Sequence, residues 1–229
     1  MKEAKKPIEV YLNFYRRLKE FNVQINNVID VGCYQGSWTS RVKLIYPDAN
    51  YYLIDYNDQY KEKLEVLGTF YKEVVAQKTE QREFNINPTV NTGNSLYEEN
   101  SNVKFDKEKV MARPLKYIVP DQTYEVIKMD VQGAELEIIE GSMDLFQKTK
   151  FVQLECPVHA NNIGAPLFEH YINYMANNNF KVFDCESLFI NCKLMAMDII
   201  FINTTLPKLS TLENKKIYYA NGDPNDTPA

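Results

Sequence analysis

The chain has 229 residues and a mass of 26.7 kDa, with 45% apolar residues, 25% charged residues and a net charge of −5. These values suit one medium-sized globular domain that buries a core without disulfide or metal staples, and they exclude wholesale disorder. The acidic balance gives no electrostatic reason to expect nucleic acid or a membrane surface as partner, and no apolar run approaches the ~18 residues that cross a bilayer.

Met1 to Pro7 is charged and leads into an amphipathic stretch rather than the apolar core of a signal peptide. The four cysteines, Cys33, Cys156, Cys185 and Cys192, contain no CxxC pair and read as buried thiols. Together these features lead us to expect a soluble protein in the reducing cytoplasm. With only His159 and His170 as imidazoles, a His-based catalytic metal is not expected.

In chain order, Ile8, Tyr11, Leu12, Tyr15 and Leu18 recur at three- and four-residue steps, which predicts an amphipathic helix from Ile8 to Phe21. Residues 1–27 then read as helix and linker, 28–206 as the main domain and 207–229 as a polar tail without core-forming residues. Val28 to Gly32 is a short β-branched run, apolar on both faces, as in a central parallel strand. Ser37 to Tyr46 has helical spacing and must stop before Pro47. Tyr51 to Asp55 is a second strand, Lys61 to Leu67 a helix with Gly68 as its capping glycine, and Thr69 to Ala76 a third strand. Arg82 to Ile86 suggests a short extra strand. The polar segment Asn87 to Asn102 reads either as a functional loop or lid, or as a solvated insertion. Tyr124 to Asp130 is a fourth strand, followed after Gln132-Gly133 by a helix bearing Leu136, Ile138, Ile139 and Met143. Phe151 to Glu155 is a fifth strand, Phe168 to Met175 a helix, and Lys181 to Phe183 and Met197 to Ile202 two closing strands.

This alternation predicts an α/β fold with a mostly parallel sheet covered on both faces. Ligands of such sheets bind at the carboxyl ends of the strands, near the topological switch point. Asp30, Asp55, Asp130 and Glu155 end strands, and are therefore expected to converge on one rim.

The loop after the first strand, Asp30-Val31-Gly32-Cys33-Tyr34-Gln35-Gly36, lacks the middle glycine of GxGxxG. Cys33 and Tyr34 obstruct close phosphate approach, and Asp30 sets a negative charge there. An acid followed by a glycine turn better suits a ligand bearing an ammonium and a sulfonium, such as S-adenosylmethionine. Asp55, at the end of the second strand, stands where a carboxylate can accept hydrogen bonds from both ribose hydroxyls.

Val126-Ile127-Lys128-Met129-Asp130-Val131-Gln132-Gly133-Ala134-Glu135-Leu136-Glu137-Ile138-Ile139-Glu140-Gly141 resembles the "IKIDVEGAE" pattern, and the glycine after the ensuing helix, of the FkbM family of S-adenosylmethionine-dependent methyltransferases. Val28 to Gly36 is similar to the family's first cofactor motif, and Met197 to Phe201 to its closing strand. The resemblance spans roughly Val28 to Asn203, leaving out the N-terminal helix and the tail. It departs at Gln132, where the family carries glutamate, and at Lys116, where the family's "TLD" motif carries aspartate.

The resemblance implies a Rossmann-like class I methyltransferase: a mostly parallel seven-stranded sheet, helices on both faces, and an antiparallel last strand. It implies S-adenosylmethionine as cofactor, held by Asp30, Gly32, Gly36 and Asp55, with Cys33 in the same loop, Tyr56 beside Asp55, and Ala76 and Gln77 bordering the adenine. Asp130 is the implied base or acceptor-orienting group, with Glu155 and His159 as second choices; capping of the next turn is the structural alternative for Asp130. No metal is assigned. Mg²⁺ on Asp130, Glu135 and Glu155 is the less favoured alternative, and Glu135 also suits a purely structural place at a helix start. The expected function is O-methylation of a sugar or secondary-metabolite hydroxyl on a small-molecule or glycan acceptor. A non-catalytic nucleoside- or glycan-binding relative and an NAD-linked oxidoreductase are the alternatives. Nothing in the sequence indicates the oligomeric state.

Overall fold

The computed structural model describes residues 10–88, 93–190 and 192–206. Helix α1 (Val10–Glu20) opens the described chain. It turns Phe14, Tyr15 and Leu18 into a core shared with Val28, Phe151, Ile200 and Ile202, and the Tyr15 hydroxyl donates to Gln153 Oε1 at 2.8 Å inside that core. The N-terminal helix is thus packed into the main body.

Strands β1 (Asn27–Val31), β2 (Asn50–Asp55) and β3 (Thr69–Lys72) alternate with helices α2 (Ser37–Ile45) and α3 (Lys61–Leu67). A detour forms β4 (Val74–Val75), β5 (Glu80–Ile86) and β6 (Asp106–Arg113). The chain then returns through β7 (Val126–Met129), α4 (Glu135–Gly141), α5 (Met143–Phe146), β8 (Phe151–Pro157), α6 (Phe168–Asn177), β9 (Phe180–Ile190) and β10 (Lys193–Asn203). The main sheet has seven strands in the order β3-β2-β1-β7-β8-β10-β9. β1, β2, β3, β7 and β8 pair in parallel, and β10 runs antiparallel to both its neighbours, as expected of the last strand. One core cluster lies around Ile127, Ile138 and Tyr171, and a second around Val28, Val42 and Leu53. The central strands β1 and β7 are buried on both faces, which is why they read as short apolar runs broken only by Asp30 and Lys128 after the opening Asn27. No described helix is long and apolar enough to cross a membrane.

Several expectations are corrected. The stretch Thr69 to Ala76 is not one strand: it breaks at Glu73, and Val74-Val75 joins a separate three-stranded sheet of order β4-β6-β5. Gly68 does not cap α3 in a left-handed conformation; its φ of 180° is extended. A Cβ at Gly68 would lie 2.2 Å from the Tyr51 carbonyl oxygen, so close backbone approach excludes a side chain there. Strand β6 is unforeseen because charges dominate its sequence, and only Val110 and Ala112 are buried. Cys33 and Cys156 are buried thiols, but Cys185 and Cys192 are exposed. Within the segment Asn87 to Asn102, residues 89–92 lie outside the described residues; the remainder is tied down, with Ser95 bridging to Asn85 and Glu99 to Asn162. The tail from residue 207 also lies outside the described residues.

Candidate active site

At the carboxyl edge of the main sheet is a crevice of about 870 Å³, including its open mouth. Val31, Gly32, Ile54, Asp55 and Asp130 line it from the main sheet, while Val74, Val75, Phe84, Asn94 and Leu96 come from the small sheet and the loop that follows β5. The floor is held by backbone contacts. The Gly32 N–H donates to the Ile54 carbonyl at 2.9 Å, and Gly32 adopts φ +73°. A Cβ at that position would sit 1.9 Å from the Asp130 carbonyl oxygen, so only glycine lets the β1 loop pass the end of β7.

Asp55 ends β2 at this crevice. Its Oδ2 accepts from the Tyr34 N–H at 2.8 Å and its Oδ1 from the Asn57 N–H at 2.9 Å. These bonds fix the carboxylate's orientation and leave lone pairs for further donors. Burial, opposed by those two N–H groups, raises its pKa above the ordinary value. Tyr56 also lines the crevice, with its ring edge-on to Phe84 at 5.0 Å between centroids and its hydroxyl donating to Glu108 Oε1 at 2.7 Å. It couples the main sheet to the small one.

The expected rim of four acids is divided. Asp30 is buried and does not line the crevice; its Oδ2 accepts from Thr39 Oγ1 at 2.6 Å and its Oδ1 lies 3.3 Å from Lys128 Nζ. Lys128 also reaches Asp130 Oδ2 at 3.6 Å. Burial alone would lower the lysine pKa, but Asp30, Asp130 and Asp198 outweigh it and hold the ammonium charged, well above its ordinary value.

Asp130 opens into the crevice, its side chain 39% exposed. Gln132 follows in a left-handed backbone conformation, φ +58°, which aims its amide back over the strand ends. Gln132 Nε2 donates to Asp130 Oδ1 at 2.8 Å and to Glu155 Oε2 at 3.0 Å. Asp130 does not cap α4; its partners are Gln132 and Lys128. The charge of Asp130, then burial, then Asp198 across the strand pair raise the Glu155 pKa well above the ordinary carboxyl value. Glu155 lines a second, smaller cavity of about 470 Å³, and Gln132 lines both cavities.

Glu135 is fully engaged at the helix start: its carboxylate accepts from the N–H groups of Val131 (2.9 Å) and Gly133 (3.1 Å) and from the Tyr171 hydroxyl (2.6 Å). The donor set suits Mg²⁺ poorly, since the Gln132 amide stands between Asp130 and Glu155. Among the described residues no group of three His, Cys, Asp or Glu is placed to hold a metal ion. The other expected site residues lie outside the crevice lining. Cys33 is buried among apolar side chains, which pushes its thiol pKa up; Gly36 starts α2. Ala76 is buried in the small sheet's core and Gln77 follows it, whereas Glu73, Val74 and Val75 of the same stretch face the crevice. His159 is half-buried in the loop after β8 and lines neither cavity. The missed lining residues fall into two kinds. Tyr34 was legible as a residue flanking the glycine turn, but Phe84, Asn94 and Leu96 come from an insertion with no local signature.

The sheet order, the antiparallel β10 and a crevice between strand-end acid and glycine turn define a class I, Rossmann-like methyltransferase. A profile of the Methyltransferase FkbM domain matches residues 6–182, more than half of the chain. The chain belongs to that family, and it is an S-adenosylmethionine-dependent methyltransferase. The match begins before α1, further upstream than the motifs alone indicated. Similar solved structures include magnesium protoporphyrin IX methyltransferase from Synechocystis PCC 6803 with bound SAM, at 12% identity and TM-score 0.53, covering 86% of this chain and 78% of that one. The fibrillarin/Nop5p complex matches at 16% identity and TM-score 0.50, covering 78% and 72%. A protein of the NADB-Rossmann superfamily from Streptococcus agalactiae matches at 10% identity and TM-score 0.50, covering 88% and 69%. At these identities the likeness is one of fold. Among curated proteins, none matches this chain.

Proposed function

We propose that this methyltransferase methylates a hydroxyl oxygen of a small-molecule or glycan acceptor, with Asp130 as the group that takes the hydroxyl proton. The observation that carries this reading is the carboxylate of Asp130, open to the crevice at the end of β7 and braced by Lys128 and Gln132. S-adenosylmethionine supplies, when bound, a methyl group activated by its sulfonium.

The chain's own residues fit that cofactor. Asp55 has acceptor capacity left for ribose hydroxyls, and Gly32 lines the crevice beside it. Ile54, Val74, Val75, Phe84 and Leu96 offer apolar surface for a flat base. Asp30 then serves as the counter-charge that keeps Lys128 in place rather than as a direct contact.

Alignment and exclusion of water supply most of the acceleration when the methyl group is already activated. As the acceptor oxygen forms its bond to the methyl carbon, Asp130 takes the hydroxyl proton, and the electrons of the broken carbon–sulfur bond remain on sulfur. Glu155 lines the second cavity and not the crevice, which leaves Asp130 as the carboxylate facing the crevice. His159 lines neither cavity and is set aside as base.

The test is Asp130→Asn. Turnover with labelled methyl donor is expected to fall about 10²- to 10⁴-fold, the usual worth of a positioned base, while adenosylhomocysteine affinity stays within about twofold. Undiminished turnover would remove Asp130 from the proton-accepting role.

A further inference from the structure

Lys128 stands in β7, a strand buried at every position. An ammonium is costly to bury unless it is paired, and an apolar side chain would fill such a position without that cost. The neighbours of this one are specific. Its Nζ lies 3.3 Å from Oδ1 of Asp30, its register partner on β1, and donates to the Gly32 carbonyl oxygen at 3.4 Å. It also lies 3.6 Å from Asp130 Oδ2. One cation therefore stands beside a buried acid, the glycine turn that lines the crevice, and the carboxylate that opens into it.

We propose that Lys128 is a positioning residue for methyl transfer: by holding Asp130 Oδ2 it keeps that carboxylate from pairing with the sulfonium of the methyl donor and so reserves it for the acceptor hydroxyl. The proposal rests on the reading of Asp130 as proton acceptor and names what governs the charge of that group.

Three observations support it. Among the described residues that line the crevice, the charged ones are Asp55, Glu73 and Asp130, and none is basic. The crevice therefore offers a sulfonium only negative charge, and the least engaged carboxylate would draw it most strongly. Asp55 accepts from two backbone N–H groups, and Glu73 is ion-paired with Arg113. Asp130 has the Gln132 amide on Oδ1 at 2.8 Å and Lys128 beside Oδ2, which leaves a lone pair on each oxygen for an incoming proton.

The ammonium is also secured from behind. Asp30 and Asp198 join Asp130 in outweighing the effect of burial, so Lys128 presents a full positive charge to the carboxylate. Asp30 is 1% exposed and is anchored in turn by Thr39 Oγ1 at 2.6 Å. The reaction gives this arrangement its use. An ion pair between Asp130 and the sulfonium would stabilise the ground state and fade as positive charge leaves sulfur in the transition state. Such a contact tightens donor binding and slows transfer.

The experiment measures S-adenosylmethionine and adenosylhomocysteine binding to the full chain and its variants by calorimetry. The two ligands differ at sulfur by one methyl group and one positive charge. Their affinity ratio therefore reads the field at that atom, whereas a general loosening of the site moves both affinities alike. Lys128→Met should raise the ratio in favour of S-adenosylmethionine about three- to tenfold over wild type. Asp130→Asn should lower it about three- to tenfold. Lys128→Met leaves the buried Asp30 without its partner, at a cost in stability. The double variant Asp30→Asn with Lys128→Met removes both buried charges together, and it too should raise the ratio about threefold, since Asp30 does not line the crevice.

A ratio that stays level or falls in the Lys128 variants, while Asp130→Asn lowers it, would overturn the proposal and leave the reading of Asp130 in place. A ratio that Asp130→Asn does not lower would remove Asp130 from the neighbourhood of the sulfonium, and the proposal would fall with that reading.

Discussion

The crevice has two walls of different make. The main sheet's wall is built from strands buried throughout, β7 on all four residues and β1 on four of five. Its closest approach is backbone against backbone, Gly32 beside the end of β7. The small sheet's wall has mostly exposed strands that contribute a few apolar side chains, Val74, Val75 and Phe84. Polar contacts attach it to the body: Tyr56 to Glu108, Arg82 to Glu137 at 3.4 Å, and Ser95 Oγ to the Gln132 carbonyl at 2.9 Å. One wall is fixed by steric necessity and the other is adjustable, which is how a common cofactor site and a variable neighbourhood can share one fold.

That contrast can be broken. Gly32→Ala should have the largest effect, because it combines a left-handed φ with a collision against a backbone oxygen. We expect a loss of about 4 kcal/mol in stability by denaturant unfolding. A loss under about 1 kcal/mol would show that the floor yields after all. On the opposite wall, Phe84→Ala should cost about 3 kcal/mol of stability by truncating a buried ring in the small core. It should also weaken adenosylhomocysteine binding while circular dichroism retains the main-sheet signal.

The contrast can also be sharpened at single carboxylates. Asp55→Ala should weaken adenosylhomocysteine binding by about 1–3 kcal/mol in calorimetry, since it orphans the Tyr34 and Asn57 N–H groups as well as removing an acceptor. Glu155→Gln should show the smallest effect, in the pH dependence of stability. A carboxyl whose folded pKa is raised contributes stability fully below its unfolded value of about 4.3, and loses it as pH rises through the folded value. Wild type should therefore lose stability across that window, and the glutamine variant should lose less. Parallel melting-temperature profiles for the two would show that Asp130 and Asp198 do not hold a proton on Glu155.

Much of the fold was legible because its strands are parallel and buried on both faces. Val28 to Val31 or Val126 to Met129 can only be read one way, and the Ser37 and Lys61 helices follow them at short intervals. β6 escaped for the opposite reason: its sequence, Asp-Lys-Glu-Lys-Val-Met-Ala-Arg, is one-sided and mostly solvent-facing, and its pairing partner β5 lies across a long insertion. The apolar run Thr69 to Ala76 was misread as one strand because composition cannot show that Glu73 is where the chain changes sheets; Arg113 holds that residue in an ion pair.

At the site, residue type announced Asp55 and Asp130, since an acid ending a buried strand has few other uses there. The same argument overreached at Asp30, because a strand end fixes where a residue sits but not which neighbour claims its side chain, and Thr39 and Lys128 claimed this one.

The sequence by itself determined the order of strands and helices, the glycine turn, the acids at strand ends and the membership these features imply. Those depend on periodicity and local backbone preference, which a linear chain displays. Only the tertiary structure decided that Asp30 lies below the site, that the small sheet forms half of the crevice, and that the Gln132 amide joins Asp130 to Glu155 between two cavities. Such pairings join residues distant in the chain, and they are set by packing geometry and by the need of each buried polar group for a partner.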